Sequence, residues 1–315
     1  MAVVAESDRN GPVDRVVIIG AGMSGILTAI KLAESGYEDF VIYEKADRLG
    51  GTWRENTYAG VACDVPSHFY SYSFALNPDW SRRFSPGAEI QAYFENVAED
   101  FGVTPRIRFG CEVVRCHFED GHWQIELSDG SRDRARFVVA ATGVLHKPRI
   151  PHFEGIEEFK GEIFHTARWN HDLSLEGKRV GLIGTGSTSI QILPAIVDQV
   201  ESVSLFQRTP QWILPIENTH YTPEEKAAFR EDPQRMEAVR QETATMMIEG
   251  FANILIDADS PMLQAAHDTC EANLNDSVKD PELRERLRPN YRAACKRLIM
   301  SENFYEGIQR PNARL

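Results

Sequence analysis

Two short β-branched runs, each followed at once by a glycine-spaced turn and then by apolar residues at helical intervals, set the pattern of this chain. The first run, Arg15 to Ile19, has the continuous Val/Ile character of a parallel strand buried on both faces. It passes directly into Gly20-Ala21-Gly22-Met23-Ser24-Gly25, and the helical stretch Ile26 to Glu34 follows. In a strand-turn-helix setting the three glycines provide, in order, a tight turn, close approach of backbone to pyrophosphate, and close helix-strand packing. The N–H groups of the helix's first turn and the positive end of its dipole then face the phosphates. A second strand, Phe40 to Glu44, ends on an acid that lies 44 - 20 = 24 residues past the first glycine. A carboxylate there accepts from adenosine ribose hydroxyls and repels a 2′-phosphate.

The pattern then recurs. Arg179 to Ile183 leads into Gly184-Thr185-Gly186-Ser187-Thr188-Ser189 and a helical run from Ile190 to Val197. Ser189 stands where the first copy has its third glycine, a small-for-small exchange that loosens packing without closing the phosphate cradle. The next strand, Ser202 to Gln207, ends at Arg208, and 208 - 184 is again 24. An arginine at this offset accepts a 2′-phosphate through paired, charge-assisted hydrogen bonds, with Thr209 adding a hydroxyl donor, and so selects NADPH over NADH. One site of each kind in one chain implies an electron relay from NADPH to FAD.

Between the copies, Asp120-Gly121 and Asp129-Gly130 read as hairpin turns joining strands Val113–Phe118, Trp123–Leu127 and Ala135–Ala140, which predicts a β-meander over about 109–143. The last of these strands ends in Ala141-Thr142-Gly143, a return into the first sheet. Pro148 and Pro151 mark a boundary. After the second copy, Met236, Val239, Met246, Met247, Phe251 and Ile254 recur at roughly helical spacing within a charged stretch, which predicts a helical insertion over about 218–290. Packing within the helices is the expected role of these residues, ahead of lining a pocket. The fold class is therefore α/β, with two Rossmann-like dinucleotide-binding domains, 1–150 for FAD and 151–315 for NADP.

Composition changes this picture little. The 315 residues, 42% hydrophobic and 26% charged, suit about two globular domains. A net charge of -13 argues against nucleic acid or an anionic membrane surface as partner. No apolar run nears the roughly 20 residues needed to cross a bilayer, and Met1 to Pro12 lack the basic start and apolar stretch of a secretory signal, so a cytoplasmic chain is expected. The five cysteines form no metal or disulfide framework. Cys111 and Cys116 fall five apart in a predicted strand, on opposite faces, and are expected to be buried thiols.

The run Phe159-Lys160-Gly161-Glu162-Ile163-Phe164-His165-Thr166-Ala167-Arg168-Trp169 resembles the FxGxxxHxxxW fingerprint of the Baeyer–Villiger monooxygenases, class B flavin monooxygenases; the family continues with Pro or Asp where this chain has Asn170. Gly50-Gly51-Thr52-Trp53, Val61-Ala62-Cys63-Asp64, Phe206-Gln207-Arg208-Thr209-Pro210 and Cys295-Lys296-Arg297 extend the likeness over essentially the whole chain.

The resemblance implies an enzyme that reduces FAD with NADPH, binds O2 as a C4a-peroxyflavin and converts a ketone to an ester or lactone. It implies that Arg297 holds the peroxyflavin anion and the charge growing on the former carbonyl oxygen, as suits a permanently charged, fork-shaped donor. Asp64 would orient Arg297, and Lys296 would join Arg208 and Thr209 at the 2′-phosphate. Thr52, Trp53, Tyr70 and the backbone at Val113 match FAD-contact positions. His165 and Trp169 would sit in a linker coupling cofactor binding to domain movement, Phe159 and Gly161 completing the fingerprint; for His165 a backbone-satisfied linker histidine is an equal alternative. The family also has, beyond the run Arg310 to Leu315, a returning part of the FAD domain with its own ATG-like turn, which implies a truncated chain with weakened flavin affinity. The alternatives are an N- or S-oxygenating flavin monooxygenase, which usually has another aromatic where Trp169 stands, and a non-catalytic nucleotide-binding fragment.

Overall fold

The computed structural model describes residues 14–315, so the reading of Met1 to Pro12 lies outside the described residues. The described residues divide into two compact units, one running up to Glu55 with Ile90–Gly161 and the other Asn56–Glu89 with Glu162–Leu315. The sequence placed a single boundary near 150; here the segment 56–89 groups with the second unit instead of the first.

In the first unit, β1 (Val16–Ile19), α1 (Met23–Glu34) and β2 (Phe40–Tyr43) form a βαβ start, with β1 and β2 paired in parallel from Val16–Phe40 to Ile19–Tyr43. Helices α2 (Thr52–Glu55) and α3 (Gly87–Asp100, here from Ile90 on) follow, then β3 (Ile107–Arg108). Next come β4 (Val113–Glu119), β5 (His122–Leu127), β6 (Arg132–Ala135) and β7 (Phe137–Ala140). The parallel sheet has the order β3-β2-β1-β7. Alternation decides which residues meet which layer: Val17, Val41 and Tyr43 pack with Ile125, Leu127 and Ala135 of the antiparallel β4-β5-β6 meander, whereas Ile18 lies under α1 at Gly25.

The third predicted strand, Ala135–Ala140, is in fact two. The chain leaves the meander at Ala135 and joins the parallel sheet beside β1 at Phe137, and the Arg136 N–H is spent on Arg15 O at the crossing. Both cysteines expected here are free and half-buried. Cys111 precedes β4, and a register shift between Val113 and Arg115 resets the alternation, so both thiols pack on the same core instead of opposite faces.

The second unit contains β8 (Arg179–Ile183), α4 (Ser187–Ile196), β9 (Ser202–Phe206) and β10 (Ile213–Pro215). Helices α5 (Pro223–Glu231), α6 (Pro233–Thr245), α7 (Phe251–Ile256), α8 (Pro261–Ser277) and α9 (Pro281–Leu287) then form the insertion, with a π-helical turn at Met246–Gly250. Its helix starts are capped by side chains: Thr222 and Glu225 make a reciprocal capping box, and Asp232 and Asp280 cap α6 and α9. Met236 is buried as expected, but Met246 is exposed. Finally β11 (Ile299–Ser301) pairs with β10, and α10 (Phe304–Ile308) leads to β12 (Ala313–Arg314), which gives a parallel sheet of order β12-β9-β8. Leu182, Val203 and Leu205 of this sheet share a core with Ile190, Leu193 and Ile196 of α4 and with Cys270 and Leu274 of α8.

One buried group in this unit sets a pH dependence. His68 is 2% exposed, neither ring nitrogen has a partner among the described residues, and its neighbours are the rings of Tyr221 and Phe229. Burial lowers its pKa from 6.5 to about 4. Between these values the unfolded chain binds the proton and the folded chain does not, so stability is full above pH 6.5 and falls with pH down to about 4. At ~1.4 kcal/mol per pH unit the loss approaches ~3 kcal/mol. His68→Phe is expected to flatten this acid limb, read from urea unfolding at pH 7 and pH 5; an unchanged slope would place the acid sensitivity elsewhere.

Candidate functional site

The first glycine turn is built by backbone meeting backbone. Gly20 has φ 102°, and a Cβ there would come within 2.6 Å of Ala141 O, so the turn sits against the Ala141-Thr142-Gly143 end of β7. A Cβ on Gly25 would lie 1.9 Å from Gly20 O, which is the close helix-strand packing expected of the third glycine. A Cβ on Gly22, by contrast, would meet among the described residues the Gly51 backbone alone, Cα at 3.7 Å and N at 4.0 Å; Gly22 is the N-cap of α1, with no side chain capping the helix. Gly50 N–H donates to Ala21 O, which brings the Gly50-Gly51 turn, and with it Thr52 and Trp53 of α2, beside this loop. Ser24 lies exposed in the first turn of α1.

Glu44 follows β2 and is 5% exposed. One carboxylate oxygen accepts from Ala21 N–H at 2.8 Å; the other accepts from Ala46 N–H at 2.9 Å and from Arg54 at 3.1 Å. Burial pushes its pKa up, but the bonds from Ala21, Ala46 and Arg54 outweigh it and hold the carboxyl below its ordinary range. A carboxylate has about four acceptor positions, so the oxygen bonded to Ala21 keeps one acceptor position unused among the described residues. Arg54, which the sequence did not single out, continues to Glu55 at 3.0 Å, and Glu55 accepts from His146 at 2.7 Å. Cys111 N–H donates to Glu44 O, which places the start of β4, and Val113, on this side of the sheet.

The second turn repeats the geometry with more room. Gly184 has φ 106°, and a Cβ at Gly184 or Gly186 would meet nothing within 4 Å among the described residues. Gly186 is the N-cap of α4, again without a side-chain cap, so the first-turn N–H groups at Ser187, Thr188 and Ser189 face an open cradle. Ser189 is buried at the position of the third glycine. Thr185 donates its hydroxyl to Thr209 O at 2.7 Å, tying the turn to the loop after β9. In that loop Arg208 is exposed and has no carboxylate within ion-pair distance among the described residues. Glu44 and Arg208, equivalent by offset, are therefore opposite in charge and in surroundings.

The segment 56–89 is clamped onto α4. Tyr58 donates to Gln191 Oε1 at 2.9 Å, Gln191 Nε2 donates to Ala62 O at 3.0 Å, and Gly60, with φ 81°, lies so close that a Cβ would be 2.6 Å from Gln191 O. Two residues past this clamp, Asp64 accepts from Arg297 at 2.6 Å. The hydrogen bond and charge of Asp64 raise the pKa of Arg297 above its ordinary value. The loop that carries Arg297 includes Ala294 at φ 64°, a left-handed conformation that disfavours L residues by roughly 1–2 kcal/mol. Lys296, next to Arg297, places its ammonium 4.6 Å above the Tyr291 ring.

The remaining predicted residues divide between the units. Tyr70 and Asp64 belong to the second unit, apart in the chain division from Thr52, Trp53 and Val113. The fingerprint spans the division: Phe159 and Gly161 end the first unit, and His165 and Trp169 lie in the second. His165 Nδ1 accepts from Ala167 N–H at 3.1 Å and caps a short 3-10 turn, the backbone-satisfied alternative. Trp169 packs on the second core with its ring edge-to-face against Phe164.

Two parallel βαβ units with glycine turns that no side chain caps, one backed by a buried acid and the other followed by an exposed arginine, define an α/β fold with two Rossmann-like domains. The chain belongs to the flavin-binding monooxygenase-like family, whose model matches residues 13–249. It is 44% identical over 302 residues to an uncharacterized monooxygenase of Mycobacterium tuberculosis, covering 95% of this chain and 60% of that protein. It is 41% identical over 303 residues to a Baeyer–Villiger monooxygenase of Streptomyces coelicolor, covering 95% and 57%. Among solved structures, cyclohexanone monooxygenase from Rhodococcus sp. Phi1 bound to NADP+ superposes with a TM-score of 0.82 at 31% identity, over 95% of this chain and 64% of that one. The chain thus spans about 60% of the length of the curated relatives it matches. No helix among the described residues is long and apolar enough to cross a membrane.

Proposed function

We propose that this chain carries the FAD and NADPH sites of a Baeyer–Villiger monooxygenase, which inserts one atom of O2 beside a ketone carbonyl to give an ester or lactone. The observation that carries this reading is the Asp64–Arg297 pair, 233 residues apart in sequence and 2.6 Å apart in space, on the unit that also bears Arg208. In the first unit Gly20, Gly22, Ser24 and Gly25 would receive the FAD pyrophosphate, Glu44 the adenosine ribose, and Thr52, Trp53 and the Val113 backbone further parts of the flavin. In the second, Gly184 to Ser189 would receive the NADPH pyrophosphate, and Arg208, Thr209 and Lys296 its 2′-phosphate. Both glycine turns suit this role because neither helix N-terminus is capped by a side chain. When bound, FAD reduced by NADPH supplies the activation of O2.

The contribution of the chain's own residues is electrostatic and positional. Asp64 occupies one edge of the Arg297 guanidinium, whose side chain is 72% exposed, and its other N–H groups remain directed to solvent. A fixed, permanently charged fork of this kind stabilises negative charge growing on a former carbonyl oxygen, with no reorganisation at the moment of reaction. Asp64→Ala should leave the cradle intact yet release this fork, lowering turnover by about 100-fold. The reading is tested by supplying the purified protein with FAD, NADPH, O2 and a panel of ketones, amines and sulfides and analysing products by chromatography. Esters or lactones are expected; oxidised amines or sulfides without ester would replace it by N- or S-oxygenation.

A further inference from the structure

Behind the proposed 2′-phosphate residues lies a tyrosine that no motif contains. The Tyr291 hydroxyl is 2.9 Å from Pro210 O and 2.9 Å from Gln211 Oε1, so its single proton is shared with the end of the loop that bears Arg208 and Thr209. The face of the same ring carries the Lys296 ammonium at 4.6 Å. Trp212 Nε1 donates to Tyr291 O at 2.6 Å and fixes the backbone beneath the ring. One residue before Pro210 the Arg208 loop is also held by Thr185, whose hydroxyl donates to Thr209 O. Arg208 and Lys296 are far apart in sequence, and Tyr291 touches the elements carrying both: one by its hydroxyl, the other by its π face.

We propose that Tyr291 is a positioning residue for 2′-phosphate recognition, setting the spacing of the Arg208 loop and the Lys296 ammonium. This rests on the assignment of Arg208 and Lys296 to the 2′-phosphate. A flexible lysine aimed by a ring face loses less freedom on binding an anion than one free in solvent. The loop carrying Arg208 is likewise restrained, by Thr185 and Tyr291, before the nucleotide arrives.

The test measures binding of two probes to the full chain by calorimetry: 2′,5′-ADP, which has the 2′-phosphate, and 5′-AMP, which lacks it. Tyr291→Phe keeps the ring and loses the hydroxyl; it should weaken 2′,5′-ADP by about 3- to 10-fold, the range of one hydrogen bond. Tyr291→Leu loses both and should weaken it by about 10- to 30-fold. Binding of 5′-AMP should stay within about twofold in both variants, as expected where no contact to the probe is removed. In a Lys296→Ala background, Tyr291→Leu should weaken 2′,5′-ADP no more than Tyr291→Phe does, because the ring then has no ammonium to aim. Equal loss of both probes would overturn the proposal in favour of a merely structural tyrosine. Native binding of 2′,5′-ADP by Tyr291→Leu, with loss in Arg208→Glu, would overturn it while leaving the phosphate assignment intact. Native binding in Arg208→Glu and Lys296→Ala as well would overturn both.

Discussion

Replacing Arg208 by glutamate is expected to raise the dissociation constant for NADPH by about 100-fold or more, while NADH changes by no more than a few-fold. The magnitude follows from the interaction lost and the one gained. A bidentate arginine-phosphate contact contributes about 1.5–3 kcal/mol, and a carboxylate in its place adds repulsion toward a dianionic group. Together these exceed the ~2.7 kcal/mol that corresponds to a factor of 100. Arg208 is exposed and has no carboxylate partner among the described residues, so the exchange removes no ion pair of the fold. Equilibrium titration of protein fluorescence with each nucleotide reads the result. A preference for NADPH that survives the exchange would remove Arg208 from the site.

The second large effect separates fold from ligand within one glycine turn. Gly25→Ala is expected to destabilise the first unit by ~3 kcal/mol or more, at the upper end of overpacking, because its Cβ would lie 1.9 Å from the carbonyl oxygen of Gly20 and neither backbone can retreat without parting α1 from β1. Gly22→Ala is expected to behave differently. Its Cβ would make only an ordinary contact with Gly51 Cα at 3.7 Å, and its φ of -83° suits any residue. Stability should fall by no more than ~1 kcal/mol, the usual difference between glycine and alanine at an N-cap. FAD affinity should nonetheless drop by about tenfold or more, since the methyl would stand where pyrophosphate approaches the backbone. Thermal unfolding and flavin absorbance on the two variants check both halves. If Gly22→Ala bound FAD normally, the first turn would be a packing device alone.

The features read correctly from the sequence are those whose signal is local. Strand, turn and helix follow one another within about 30 residues in each copy, so hydrophobic period and glycine spacing report them directly. The equal offset that yields Glu44 and Arg208 is of this kind. What remained unseen depends on partners distant in the chain. The Tyr58–Gln191 clamp joins residues 133 apart, and nothing in the turn-rich segment around Gly60 announces a partner on α4, so its grouping with the second unit could not be read. Arg54 looks like a surface charge at the end of a short helix until the Glu44 carboxylate is seen bound to it. The division of Ala135–Ala140 into two strands escaped because no glycine, proline or other turn residue marks the crossing at Arg136; only the partner changes, from β5 to β1. Tyr291 carries no periodicity at all, and its significance lies in touching the loops of Arg208 and Lys296 together.

The central claim is that one chain holds two dinucleotide sites of opposite selectivity. It is tested most directly by calorimetric titration of the protein with FAD, with NADPH, and with each in the presence of the other. One equivalent of each is expected, bound without competition, with Arg208→Glu weakening only the binding of NADPH and Gly22→Ala only that of FAD. Mutual exclusion of the two nucleotides, or weakening of both in either variant, would contradict it.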